Sequence, residues 1–136
     1  MINDKTGEGQ KKLVNQITTN YTFFMREVQH FKFFKEVVLT FWKNKIQDGD
    51  LRIWCAACAA GEEAYALVII IHETFALERS KWIQRCWLQT YLGALEKVKQ
   101  GIYSKERLES LPDTWQRCYF KTVGNEGYRV CNASSL

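Results

Sequence analysis

Several features of membrane and secreted proteins are missing from this 136-residue sequence. Its longest apolar stretch, residues 64–71, is far shorter than the roughly 20 residues that a membrane-spanning helix needs. Residues 1–16 are polar and lack the apolar core of a secretory signal peptide. The five cysteines are an odd number and nothing suggests secretion, so we expect reduced thiols in a cytoplasmic protein.

Side chains for a metal site or a nucleic-acid surface are also scarce. Cys55 and Cys58 form a CxxC, but no second CxxC follows, and the only histidines are His30 and His72. Cys55 also lies inside a predicted strand, so we interpret the cysteines as small apolar side chains and expect no metal. His72, late in an apolar helix, is interpreted as a capping or packing residue. The net charge of +4 is spread along the chain, which argues against a nucleic-acid partner.

What the sequence does contain is an alternation of helical and strand-like segments. The spacing of apolar residues predicts a one-sided helix over residues 30–45. A nearly continuous apolar run predicts a strand covered on both faces at residues 51–57. Two acids followed by an apolar body predict a helix at 62–75, and a strand at 81–92, a helix at 94–100 and short strands at 119–121 and 128–130 follow. This order favours an α/β fold with a parallel sheet.

The segment from residue 51 to residue 63 holds the most informative chemistry. A loop of small residues after the first strand of such a sheet lies at the carboxyl edge, where ligands bind. Glu62 and Glu63 then open a helix, and the helix dipole favours carboxylates there. They would repel a phosphate but suit a ligand with an ammonium or sulfonium charge. The alternative is a helix start capped by acids beside a small-residue packing contact.

A second informative segment, residues 18–27, places hydroxyl groups, an amide and a guanidinium beside two aromatic rings. Arg26 could bind the carboxylate of a substrate or cofactor. The alternative is that Phe23 and Phe24 belong to the core while Arg26 extends into solvent.

The order of these segments resembles one known family. The stretches TTNYTFFMRE (18–27), LRIWCAACAAGEEAYAL (51–67) and ALEKVKQGIYSKERLESLP (94–112), followed by a Tyr-Phe pair, resemble the CheR methyltransferases. The likeness runs from about residue 18 to residue 130. It implies a partial Rossmann-like domain that binds S-adenosyl-L-methionine (AdoMet) and transfers its methyl group to glutamates of bacterial chemotaxis receptors. Residues 1–17 then correspond to a remnant of the family's N-terminal helical region, and residues 18–136 to a methyltransferase domain that is incomplete at its C-terminus.

Carried over by position, the resemblance implies a set of site residues. Arg26 is the expected catalytic residue and contacts either the cofactor or the receptor glutamate. Glu63 is expected to bond toward the amino group of the cofactor. The full set expected to bind cofactor is Asn20, Thr22, Arg26, Ala57, Gly61, Glu63 and Gln89.

The chain also departs from the family pattern. Ala59 and Ala60 stand where the family usually has serine or threonine, and residues 83–93 contain no acid for the ribose hydroxyls, with Gln89 near the expected place. One choice of codons for residues 83–93, read one base earlier, encodes a Thr-Asp-Ile-Ser segment of the family type. We therefore hypothesise that this segment is read out of frame, which sequencing the gene would test.

These departures keep a second function open. The chain could be a non-catalytic α/β fragment or engineered variant that binds a protein partner or associates with itself. An incomplete sheet has an open edge that invites pairing with another chain, so a homodimer through that edge is expected under this alternative.

Overall fold

The computed structural model describes residue 9, residues 22–43, 45, 53–56, 59–75, 86–89 and 97–125, and residues 127–131. Within these ranges, no helix is both long enough and apolar enough to cross a membrane. The described elements form a mixed α/β structure with a two-stranded parallel sheet and a three-stranded antiparallel sheet.

The first helical segment contains a π-helix. It consists of α1 (Val28–Phe33), a π-helix (Phe34–Leu39) and α2 (Thr40–Lys43). Phe31 and Leu39 are buried. The prediction of a one-sided helix is wrong for Val37, Phe41 and Trp42, which are among the regularly spaced apolar residues on which it was based but are exposed. The π-helix was not predicted, because apolar spacing does not distinguish its wider turns from those of an ordinary helix.

A strand–helix–strand unit carries the parallel sheet. Strand β1 (Ile53–Ala56) is followed by α3 (Glu62–Phe75) and then by β2 (Cys86–Gln89), which pairs with β1 in parallel. The predicted bounds of α3 are confirmed, and both strands lie within their predicted ranges, the remainder of which is outside the described residues. The expectation that β1 is covered on both faces is wrong for Trp54, which is 69% exposed while Cys55 is buried. Successive side chains of a strand point to opposite faces, and here one face is open.

The second sheet follows residues 97–100, which are helical. Five elements then follow in sequence: strand β3 (Ile102–Ser104), α4 (Lys105–Leu108), α5 (Asp113–Tyr119), β4 (Phe120–Val123) and β5 (Gly127–Val130). The strands pair antiparallel in the order β3-β5-β4. Strands near 119–121 and 128–130 were predicted, but β3 and the antiparallel sheet were not.

One aromatic side chain joins this sheet to the N-terminal segment. Phe24 is 0% exposed and makes edge-to-face contacts with Tyr103 and Phe120, at centroid distances of 5.0 and 5.4 Å. The Ser110 hydroxyl also donates a hydrogen bond to the Phe24 carbonyl oxygen. These contacts bring residues 22–26 against the same core as β3 and β4.

Candidate functional site

The carboxyl ends of β1 and β2 lie side by side. In the parallel register Ala56 pairs with Gln89, the last residue of each strand. The helix that follows β1 begins a few residues later, at Glu62. The strand ends and the helix N-terminus thus frame one edge of the sheet, which is where α/β proteins bind their ligands.

The loop before α3 contains two residues in left-handed conformations. Ala59 has φ of 42° and Gly61 has φ of 96°. A Cβ atom on Gly61 would lie 2.8 Å from Val98 Cγ2 and 3.1 Å from the Tyr103 hydroxyl. Both the dihedral angle and the close neighbours therefore require glycine here. The protein itself occupies the space beside Gly61.

Hydrogen bonds from aromatic side chains hold this loop and helix. The Tyr103 hydroxyl donates to the Ala60 carbonyl oxygen at 2.9 Å. One turn into α3, the Tyr65 hydroxyl donates to the Val98 carbonyl oxygen at 2.7 Å. Since Tyr103 also packs on Phe24, the segment around residues 22–26 is connected to the loop through a single side chain.

The two acids that open α3 have opposite surroundings. Glu62 is 0% exposed and forms an ion pair with Arg107 of α4 through Oε1, whereas Glu63 is exposed. Burial raises the pKa of the Glu62 carboxyl above its ordinary value, although Arg107 opposes the shift. Glu63 is therefore the carboxylate of this pair that a ligand can reach.

Comparison with known proteins identifies the family. The family model for the CheR methyltransferase SAM-binding domain matches residues 20–135. The chain belongs to the CheR methyltransferase family. Its cofactor is S-adenosyl-L-methionine, since SAM binding defines the matched domain.

Individual proteins similar to this chain support the same family assignment. The chain is 32% identical over 124 residues to a chemotaxis protein methyltransferase of Escherichia coli, covering 90% of this chain and 40% of the relative. It is 33% identical over 119 residues to chemotaxis protein methyltransferase 2 of Pseudomonas aeruginosa, covering 86% and 40%. A chemotaxis protein methyltransferase of Borreliella burgdorferi is 28% identical over 123 residues, covering 88% and 44%. The chain thus spans 40–44% of the length of these CheR relatives.

The expected CheR site residues fall into two groups. Gly61 and Glu63 lie at the start of α3, the helix that follows β1, and Gln89 is the last residue of β2, which pairs with β1. Thr22, half-buried, and Arg26, exposed, flank the buried Phe24. Asn20 and Ala57 lie outside the described residues.

The chemistry at the edge fits the amino-acid end of AdoMet. The cofactor carries an ammonium group, and Glu63 offers an exposed carboxylate in the first turn of a 14-residue helix. Where an acid is expected for the ribose hydroxyls, Gln89 offers an uncharged amide, which can still donate and accept hydrogen bonds.

Arg107 and Tyr103 are the site contacts that sequence reasoning missed. Both lie inside the stretch 94–112 that carries part of the family resemblance, but neither belongs to a pattern that indicates its partner. Their contacts with the loop and α3 join residues 43 and 45 positions apart. Only the fold brings them together.

Two further features lie apart from the expected site. In the described ranges no group of three or more His, Cys, Asp or Glu side chains could hold a metal ion. His72 contacts Tyr119 through Nδ1 at 2.7 Å, with the rings edge to face, as expected of a packing histidine. A cleft of about 580 Å³ opens beside β3, α4 and β5, and none of the expected site residues lines it.

Proposed function

We propose that this chain forms the cofactor-binding part of a cytoplasmic methyltransferase that converts glutamate side chains of chemotaxis receptors to methyl esters. The observation that supports the proposal is the exposure of the Glu63 carboxylate. Glu63 is exposed in the first turn of α3, the helix that follows β1 of the parallel strand pair, in a chain that matches the CheR SAM-binding domain.

Glu63 would hold the ammonium group of the cofactor. The helix dipole stabilises a negative side chain in the first turn, which favours the charged carboxylate that a cation needs. Its neighbour Glu62 is already paired with Arg107 and lies inside the protein. Glu63 is therefore the residue that we assign to ammonium binding.

Arg26 would bind a carboxylate, either that of the cofactor or that of the glutamate to be methylated. A guanidinium matches the two oxygens of a carboxylate and is always charged. Bound AdoMet would supply its sulfonium methyl group for transfer to a carboxylate oxygen, which leaves a methyl ester and, as the carbon–sulfur bond breaks, S-adenosylhomocysteine. Arg26 contributes by orienting a carboxylate and balancing its charge, which is mainly catalysis by positioning.

Gln89 would meet the ribose hydroxyls with a neutral amide. Loss of a hydrogen bond to a charged group costs about 1.5–3 kcal/mol. This corresponds to roughly tenfold to hundredfold in affinity. We therefore propose that this chain binds the cofactor more weakly than a relative with an acid at that place, and that Gln89→Asp tightens binding.

The test is calorimetric titration of the purified chain with S-adenosylhomocysteine. Glu63→Ala is expected to weaken binding at least about tenfold, because it removes a charge-assisted contact. The matched control is Glu36→Ala, which removes an exposed glutamate from the π-helix. Equal affinity of the chain and its Glu63→Ala variant would contradict the assignment of Glu63.

A second candidate function is self-association through the two-stranded parallel sheet. The exposed indole of Trp54 on β1 favours it, because a large apolar side chain on an open sheet face is a candidate contact with another chain. Sedimentation equilibrium would show a concentration-dependent dimer that Trp54→Lys abolishes. A monomer at all concentrations would exclude this candidate.

A further inference from the structure

We propose that Glu62 and Arg107 are a positioning pair, which sets the direction of the first turn of α3 and thereby aims Glu63 at the sheet edge. The inference rests on the proposed function, because it concerns how the ammonium-binding carboxylate is held. Neither residue would touch the cofactor.

The burial of Glu62 is the first observation. The residue is 0% exposed, its Oε1 is paired with Arg107, and its Oε2 has no hydrogen-bond partner within the described structure. The Arg107 side chain is 35% exposed. A buried carboxylate with one unsatisfied oxygen is costly, and buried ion pairs are often no more stable than apolar replacements. Stability alone therefore gives a weak reason for a glutamate at this position.

The direction of the contacts is the second observation. Two residues from one short segment reach the loop and the helix start: Tyr103 of β3 bonds to Ala60, and Arg107 of α4 pairs with Glu62. Tyr103 also lies against Gly61. The segment that contains β3 and α4 thus contacts three successive residues immediately before Glu63.

Helix geometry links the buried position of Glu62 to the direction in which Glu63 points. Successive helical residues are rotated by about 100°, so fixing the Glu62 side chain in the interior fixes where Glu63 points. If Arg107 were absent, the carboxylate of Glu62 would have to become neutral or turn toward water. The second response would rotate the first turn and carry Glu63 with it.

The experiment uses two measurements on the same variants. Hydrogen exchange of the ligand-free chain reports the first turn through the Tyr65 amide, which donates to the Gly61 carbonyl oxygen at 2.9 Å. Calorimetry with S-adenosylhomocysteine reports the affinity. The variants are Arg107→Met and Arg107→Lys, with Lys105→Met as the matched control, because Lys105 is an exposed cation on the same helix.

Arg107→Met should speed exchange at Tyr65 and weaken affinity, each on the order of tenfold or more, because one partner of a buried pair is removed. Arg107→Lys should keep most of the slow exchange at Tyr65 and most of the affinity, since the single nitrogen–oxygen contact to Glu62 needs only one donor. Lys105→Met should change neither. Because Arg107→Met leaves a buried carboxylate alone, Glu62→Gln/Arg107→Met provides a version without that charge and should show smaller changes in exchange and affinity than Arg107→Met, since a neutral side chain need not turn toward water.

A second control separates positioning from stability. Tyr119→Phe removes hydrogen bonds to His72 and Glu73 at the far end of α3 and should lower the melting temperature without altering affinity or exchange at Tyr65. The proposal is overturned if the Arg107 variants behave like Tyr119→Phe. If the unaltered chain binds no S-adenosylhomocysteine, the proposed function fails for this chain, while unchanged exchange at Tyr65 would separately overturn the positioning pair.

Discussion

Substituting alanine for Gly61 tests the geometry of the cofactor loop quantitatively. Gly61 has φ of 96°, and an added Cβ would lie 2.8 Å from Val98 Cγ2 and 3.1 Å from the Tyr103 hydroxyl. A left-handed conformation costs a non-glycine residue about 1–2 kcal/mol. Overpacking a filled site costs about 1–3 kcal/mol more. We therefore expect Gly61→Ala to destabilise the chain by about 2–5 kcal/mol.

The corresponding change in melting temperature follows from the size of the chain. The unfolding entropy of a 136-residue protein is about 0.29 kcal/mol/K, so 1 kcal/mol corresponds to about 3.5 °C. The expected decrease for Gly61→Ala is thus about 7–17 °C by thermal denaturation followed with circular dichroism.

Gly124→Ala is the matched control for this prediction. Gly124 also has a left-handed conformation, with φ of 65°, but no atom lies within 4 Å of its added Cβ. Only the backbone cost applies, so the expected loss is about 1–2 kcal/mol. Val98→Ala in the Gly61→Ala background should recover part of the additional loss. Equal destabilisation by Gly61→Ala and Gly124→Ala would refute the close packing of the loop against Val98 and Tyr103.

Three further substitutions test the contacts around the site, each by urea unfolding. Tyr103→Phe loses the hydrogen bond to the Ala60 carbonyl and should cost about 0.5–1.5 kcal/mol; no change would mean that the bond is absent. Phe24→Ala should lower the free energy of unfolding by about 3–5 kcal/mol because the ring is fully buried. A loss below about 1 kcal/mol, which is typical of surface substitutions, would place the ring outside the core. Because burial raises the folded-state pKa of Glu62 above 4.5, the folded chain binds more protons above that pH. Its free energy of unfolding should therefore fall, relative to Glu62→Gln, as the pH rises from 4.5 toward neutrality, and parallel curves would contradict this.

The elements that sequence reasoning found are those with local signals. Helix α3 has acids in its first turn and an apolar body, so its bounds could be predicted. Strand β1 is rich in apolar residues and comes shortly after the sequence DGD (48–50), which is typical of turns. Strand β3 spans only Ile102–Ser104, too short for a periodic pattern, and its pairing with β5 is decided by the fold.

The candidate site was predictable in part for the same reason. The sequence indicates that Glu62 and Glu63 open a helix, but it does not indicate which of them is buried. That choice depends on Arg107, which lies 45 residues further along the chain. The sequence likewise left open whether the small residues before α3 meet a ligand or pack against the protein, and the close neighbours of Gly61 are Val98 and Tyr103.

The central claim is that this CheR-family chain binds AdoMet at the edge formed by β1, β2 and the start of α3. Calorimetric titration of the chain with S-adenosylhomocysteine, after its intact mass has been checked, tests it most directly. We predict saturable binding at one site that is lost or strongly weakened in Glu63→Ala and unchanged in Glu36→Ala. The absence of heat at high micromolar ligand, from a chain shown to be folded by circular dichroism, would contradict the claim.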